Sequence, residues 1–195
     1  MKKLVDNNLA NLKLEKLSES AIKFSGMNES ISFTFSSNSG VLDVTGAEYE
    51  LDGKKSPIEV ASVVPAIIGS GATKRSVFHF LDKQLVGNRG LRAGITIHGA
   101  ESQWSSLPHD FELNLEEGFE ELFFYGLGSE QTPGAIQVGR GVWQDLTPVD
   151  NCWFVGDRES SIIPMGFHPI VGLPGTTVSY CWAYIAKYPH WEKVK

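Results

Sequence analysis

Cysteine is scarce: Cys152 and Cys181 are the only two in 195 residues. Two thiols cannot make a disulfide-dense scaffold, and both read as buried, reduced small hydrophobes, although a bridge between them is compatible with the sequence. Long apolar runs are missing as well. Met1-Lys2-Lys3-Leu4-Val5-Asp6-Asn7-Asn8 opens with two lysines, but no apolar stretch follows. Neither a secretory signal nor a membrane span is expected, so the chain reads as soluble and cytoplasmic with no membrane partner. Basic residues do not cluster and the formal net charge is −6, which argues against a nucleic-acid partner. No long amphipathic helical period appears after residue 20. Internal repeats and low-complexity segments are also lacking, and the apolar share of 42% is too ordinary for a disordered chain.

What is abundant is turn chemistry. Twenty glycines and nine prolines punctuate the chain, as in all-β folds. Residues 1–20 are polar with scattered leucines and read as a short helix or a loosely docked strand. Ile31-Ser32-Phe33-Thr34-Phe35-Ser36 alternates apolar and polar. Short strands are expected at Val41-Leu42-Asp43-Val44 and Ala47-Glu48-Tyr49-Glu50-Leu51, with Asp52-Gly53 as a tight turn. Val60 to Ile68 is apolar and β-branched but broken by Pro65. Further strands are expected at 76–81, 91–98, 120–125, 135–146, 152–155, 161–163 and 176–186. In the 91–98 strand Leu91, Ala93, Ile95 and Ile97 share one face. Short strands with frequent turns imply a sandwich or barrel, and 195 residues suffice for a sizeable core.

The most informative segment is Pro164-Met165-Gly166-Phe167-His168-Pro169. The glycine frees the backbone and the prolines fix φ on either side, a turn that can present a histidine at a set angle. Upstream, His109 follows a proline at a strand entrance, and Glu121 lies in the strong strand signal Phe119-Glu120-Glu121-Leu122-Phe123-Phe124-Tyr125. Period 2 puts Glu121, Phe123 and Tyr125 on one face and Glu120, Leu122 and Phe124 on the other, so only one glutamate can face inward. Two imidazoles and a carboxylate would leave coordination positions open on a divalent ion, as catalytic metals require. The competing reading is a set of hydrogen-bonded structural histidines and a solvated glutamate pair. His79 and His98 have no partner carboxylate at obvious spacing and read as structural, and His190 as a surface or rim residue.

These segments resemble the 5-deoxy-glucuronate isomerase family, cupins related to the uronate ketol-isomerases of pectin breakdown. Trp104-Ser105-Ser106-Leu107-Pro108-His109-Asp110 is similar to that family's Trp-Ser-Ser segment. Residues 119–125 resemble its Leu-Glu-Glu-Ile-Tyr-Tyr-Tyr strand, and residues 163–169 its Val-Pro-x-Gly-Tyr-His-Pro turn. Pro174-Gly175 followed by Tyr180-Cys181-Trp182 resembles its closing strand. The resemblance implies a cupin-type jelly-roll β-barrel within one compact body over 1–195, or a reduced bicupin. Residues 1–74 would then be N-terminal strands of a reduced first half, and 75–195 the barrel with the site. It implies that His109, Glu121 and His168 hold a divalent metal: zinc, manganese or iron. Gln137 or Arg140 would supply a polar group from the intervening strand. One departure is that the family's His-x-His is here His109-Asp110-Phe111, so a ligand is missing unless Asp110 or Glu112 replaces it.

The implied activity is aldose–ketose isomerisation of a small sugar acid in carbohydrate metabolism, of the inositol-catabolic kind. The metal would stabilise a developing enediolate, and a nearby base, Glu117, Glu120 or a metal-bound hydroxide, would move a proton between adjacent carbons. Tyr125, Tyr184 and Gln137 are candidates to contact sugar hydroxyls, with barrel packing as the alternative for the tyrosines. A cupin that binds a small acid without turnover is the second expectation, favoured by the missing histidine. A metal-dependent oxygenase is the third. A homodimer is expected only because exposed strand edges are often covered by self-pairing.

Overall fold

The computed structural model describes residues 9–36, 40–82, 90–98, 104, 119–129 and 134–185. These residues form three β-sheets and two short 3₁₀ turns, with no α-helix among them. None of their helices is long and apolar enough to cross a membrane.

The first sheet is a five-stranded antiparallel meander of β1 (Lys13–Ser18), β2 (Ala21–Gly26), β3 (Glu29–Phe35), β4 (Val44–Leu51) and β5 (Lys54–Ile58). Its hairpins follow from local chemistry. Asp52 and Gly53 both have positive φ, 48° and 78°, and join Leu51 directly to its partner Lys54. A two-residue loop with φ positive at both positions matches the right-handed twist of the flanking strands. Met27-Asn28 makes the same turn between β2 and β3, with φ of 55° and 67°.

The second sheet has six strands in the order β12-β9-β15-β8-β7-β6. These are β6 (Ala66–Ile68), β7 (Arg75–Leu81), β8 (Leu91–His98), β9 (Glu120–Gly128), β12 (Ser160–Ile163) and β15 (Thr177–Ile185). In the third sheet β10 (Ala135–Val142) pairs with β11 (Pro148–Val155) on one side and with β13 (Met165–Phe167) and β14 (Ile170–Gly172) on the other.

The six-stranded sheet is the middle layer. Its outer face packs Leu91, Ala93, Ile95, Leu122, Phe124, Cys181, Ala183 and Ile185 against Ile22, Phe24, Ile31 and Phe33 of the meander. Its inner face packs Phe123, Tyr125, Leu127, Tyr180, Trp182 and Tyr184 against Ala135, Val155, Met165 and Ile170 of the third sheet. A strand covered on both sides reads as a near-continuous apolar run, which is what Leu122 to Leu127 and Val178 to Ile185 present.

Several expectations are corrected. Residues 41–43 are not a strand; this linker lies on the middle sheet, where Leu42 N–H donates to Ser179 Oγ at 2.7 Å. Gly126 permits that approach, because a Cβ there would meet the Leu42 side chain at 2.5 Å. The apolar stretch 60–68, to which the sequence assigned no element, is a 3₁₀ turn (Val60–Ser62) and the edge strand β6, with Val64, Ile67 and Ile68 exposed. The strand expected to start at residue 152 begins at Pro148. Cys181 is buried, whereas Cys152, on β11, is exposed, and the two are not bonded to each other.

Candidate functional site

The site lies on the inner face of the middle sheet, where it meets the third sheet. Glu120 and Glu121 open β9 and are both buried, one on each face. A carboxylate out of water needs partners, and the two find different ones. Glu120 faces the meander. Its Oε2 accepts the amide N–H of Asn11 at 2.8 Å and of Leu12 at 2.7 Å, and its Oε1 accepts the Asn11 side-chain amide at 2.9 Å. It ties the first sheet to the second. That placement corrects its expectation as a base: it is turned away from the inner face and its oxygens are occupied.

Glu121 faces inward. Its Oε2 lies 3.4 Å from Nε2 of His168, with both side chains buried. Oε2 receives no hydrogen bond within the described residues. Burial pushes the Glu121 carboxyl up to about 8, so at neutral pH it keeps its proton unless a positive charge stands beside it.

The turn that carries His168 is fixed from below. Gln137 is fully buried on β10 and its Nε2 donates to the carbonyls of His168 at 2.7 Å and Pro169 at 3.1 Å. The Tyr125 hydroxyl donates to Gln137 Oε1 at 3.1 Å and lies 2.6 Å from Ser161 Oγ. Burial raises the Tyr125 phenol, which stays protonated and available as a donor. Gln137 and Tyr125 thus belong to one network that holds the backbone at the histidine and at the proline after it. Phe123 meets the His168 ring edge-on at 6.0 Å. Of the two polar residues expected from β10, Gln137 points inward. Arg140 lies on the outer face, its side chain 69% exposed beside Asp150, which corrects its expectation as a substrate contact. Alternation decides this, since the two positions differ by an odd number.

Tyr184 stands beside Glu121. It is the register partner of Glu121 on one side and of Arg92 on the other, so the three form one row across β9, β15 and β8. Directly opposed residues share a face. Arg92 is fully buried, with Nη1 donating to the Leu91 carbonyl at 3.1 Å. The next row reads Phe123, Trp182, Gly94 and His79. His79 meets Trp182 edge-on at 5.4 Å, and burial lowers its pKa. His98 is buried near Tyr180, with ring centres 5.8 Å apart. Arg92, His79 and His98 all share the face of Glu121, and the residue pattern assigned none of them a role in the site. The signal was available for Arg92 and His98: once Leu91, Ala93, Ile95 and Ile97 form one face, Arg92, Gly94, Thr96 and His98 must line the other.

His109 and Glu117, with Asp110, Glu112 and His190, lie outside the described residues. Among the described residues no third His, Cys, Asp or Glu joins Glu121 and His168. The pair nevertheless fits a divalent ion by its chemistry. An imidazole nitrogen and a carboxylate oxygen are both buried, and Oε2 lacks a hydrogen-bond donor. Two ligands each about 2.1 Å from one ion stand at such a separation, and its charge would relieve the desolvated carboxylate.

The comparisons with known proteins agree with this architecture. Two 5-deoxy-glucuronate isomerases, from Bacillus subtilis strain 168 and from Bacillus subtilis subsp. natto, are 31% and 30% identical over 115 residues. Each alignment covers 57% of this chain and 41% of the relative, so the chain spans about two fifths of the length of the relatives it matches. The crystal structure of an IolB-like protein from Salmonella typhimurium LT2 superposes with a TM-score of 0.54 at 17% identity, covering 93% of this chain and 73% of that one. The fold is all-β and of the cupin type. A model of the KduI/IolB family matches residues 18–195, and the chain belongs to that family.

Proposed function

We propose that the protein is a metal-dependent isomerase that interconverts the aldose and ketose forms of a small sugar acid resembling 5-deoxy-glucuronate. The observation that carries this reading is the buried pairing of Glu121 with His168 at 3.4 Å on the inner face of a KduI/IolB-family chain. Glu121 and His168, with His109 as the third ligand expected from the sequence, would hold zinc, manganese or iron. When bound, such an ion supplies Lewis-acid charge to the carbonyl and neighbouring hydroxyl oxygens, where negative charge develops as the C–H bond breaks.

The remaining work falls to the chain. The Gln137–Tyr125–Ser161 network holds the turn, and so fixes where the His168 imidazole points. The Tyr184 ring stacks on Phe119 and Trp182 beside Glu121, forming an aromatic wall that excludes water. Glu117 is the carboxylate proposed to carry the proton between adjacent carbons, since Glu120 is engaged with Asn11 and Leu12.

A second reading is a cupin that binds the acid without turnover. It is favoured by His109-Asp110-Phe111, which lacks the family's second histidine. The test is His168→Ala, compared with wild type for bound metal by elemental analysis, for melting with and without chelator, and for turnover of 5-deoxy-glucuronate. Wild type should carry about one equivalent of metal, melt lower in chelator and turn over; the variant should do none of these. Equal, negligible metal in both proteins, with identical melting, would leave the binding cupin.

A further inference from the structure

An open sheet ends in edges, and an unpaired edge is a template for another strand. Four edge strands of this protein carry exposed residues: β1, β5, β6 and β11. Three of them also carry the residues that keep a neighbouring strand away. β1 exposes Lys13, Glu15 and Lys16. β5 exposes Lys54, Lys55 and Pro57, whose ring removes a ladder donor. β11 starts at Pro148 and exposes Asp150. β6 has none of these. Ala66, Ile67 and Ile68 are all exposed, so both faces of the strand are wet. Ile67 is 58% exposed and the nearby Val64 81%. Among the described residues the backbone of β6 is hydrogen-bonded to β7 alone.

The surroundings of β6 select its partner. From Val60 to Thr73 no residue is charged, in a chain whose formal net charge is −6. Glu59 bounds this run at one end and Lys74 at the other, and both are exposed. A strand that pairs with its own copy across a twofold axis runs antiparallel to it. The Glu59 end of one copy then lies toward the Lys74 end of the other, and the same contact repeats on the far side of the axis. Opposite charges meet twice, and the apolar stretch between them meets itself.

We propose that β6 is a self-association edge: two copies of this chain pair β6 with β6, antiparallel about a twofold axis at Ile67, and join their six-stranded sheets into one. Ile67 is the middle residue of the strand, so it meets its own copy on the axis while Ala66 meets Ile68. The pairing gives the outward amides and carbonyls of both edges partners at once. It also removes the apolar surface of Val64, Ile67 and Ile68 from water. Each copy spends its one bare edge, so association stops at two. β9, which carries Glu121, lies four strands away from β6 in the same sheet. The inference therefore stands apart from the proposed activity.

The test is the oligomeric state of the full chain, measured by sedimentation across a range of concentrations, with deuterium uptake of β6 followed in parallel. Wild type should pass from monomer to dimer as concentration rises, and exchange in β6, free in the single copy, should slow with it. Ile67→Lys places two like charges on the axis and should leave monomer only. It should melt as dilute wild type does, because Ile67 is exposed in the single copy. Glu59→Lys and Lys74→Glu should each weaken association by about tenfold, as two attractive pairs turn repulsive, and the double exchange should restore it. In a Cys152→Ser background, which removes the exposed native thiol, Ile67→Cys should form a disulfide between copies on oxidation. Lys55→Cys on the β5 edge should not. A wild type that stays monomeric throughout, with β6 exchange unchanged, overturns the proposal and leaves the edge to a partner other than this chain. So does a dimer that Ile67→Lys leaves intact, which places the interface elsewhere, and so does assembly beyond two copies. If Ile67→Lys does not fold, the charge exchange and the cross-link decide. Association unaltered in both single charge variants, or no cross-link through Ile67→Cys, overturns the twofold pairing.

Discussion

His79 shows how the inner face treats its titratable groups. Burial against Trp182 lowers its pKa, so between its folded value and the ordinary value near 6.5 the unfolded chain binds a proton that the folded chain refuses. Stability linked to His79 is therefore complete above about pH 6.5 and lost as pH falls below it. The melting temperature of wild type should drop between pH 7.5 and 5.5 by more than that of His79→Gln. Parallel curves for the two proteins would show that His79 stays as wet folded as unfolded. At this scale the sequence was partly legible. Period 2 alone separated Glu120 from Glu121, but the polar row opposite Leu91, Ala93, Ile95 and Ile97 went unread. Arg92 received no role, because nothing local says that a strand is covered on both faces.

At the scale of elements, two tethers do distinct jobs. Glu120 joins the meander to β9 through three donors on Asn11 and Leu12. Glu120→Ala strands the buried Leu12 amide and releases both donors of Asn11, which can turn to water, so it should cost ~2 kcal/mol in urea unfolding, with metal content unchanged. Loss of metal in that variant would mean that Glu120 acts in the site after all. Gln137 joins β10 to the His168 turn. Gln137→Met keeps the volume but removes the donor and the acceptor, so it should weaken metal affinity by about tenfold or more in a chelator competition and cost ~2 kcal/mol of stability. Undisturbed affinity would show that the turn holds its shape unaided. Strands such as 91–98 and the Asp52-Gly53 hairpin were legible because alternation and turn chemistry are local. Whether Gln137 or Arg140 faced inward was not, because a register is set by partner strands distant in sequence. The stretch Val60 to Ile68 yielded no element for a related reason: apolar composition cannot distinguish a sheet edge from a sheet centre.

For the molecule as a whole, the position of the site-bearing sheet sets the order in which the fold can open. β9 is hydrogen-bonded on both sides, to β12 and β15, and β15 in turn to β8. These strands lie beneath two further layers, so solvent reaches their amides only when one outer layer lifts away. Deuterium uptake should therefore be slowest in β8, β9 and β15, faster in β10 and β11, and fastest at the edges β1, β5 and β6. Early labelling of β9 would contradict the layered arrangement. The meander, which touches none of the inner-face chemistry, then acts as a clasp in time as well as in space. A ligand that slows exchange throughout β1 to β3 would do so by restraining the strand whose first two residues face both ways.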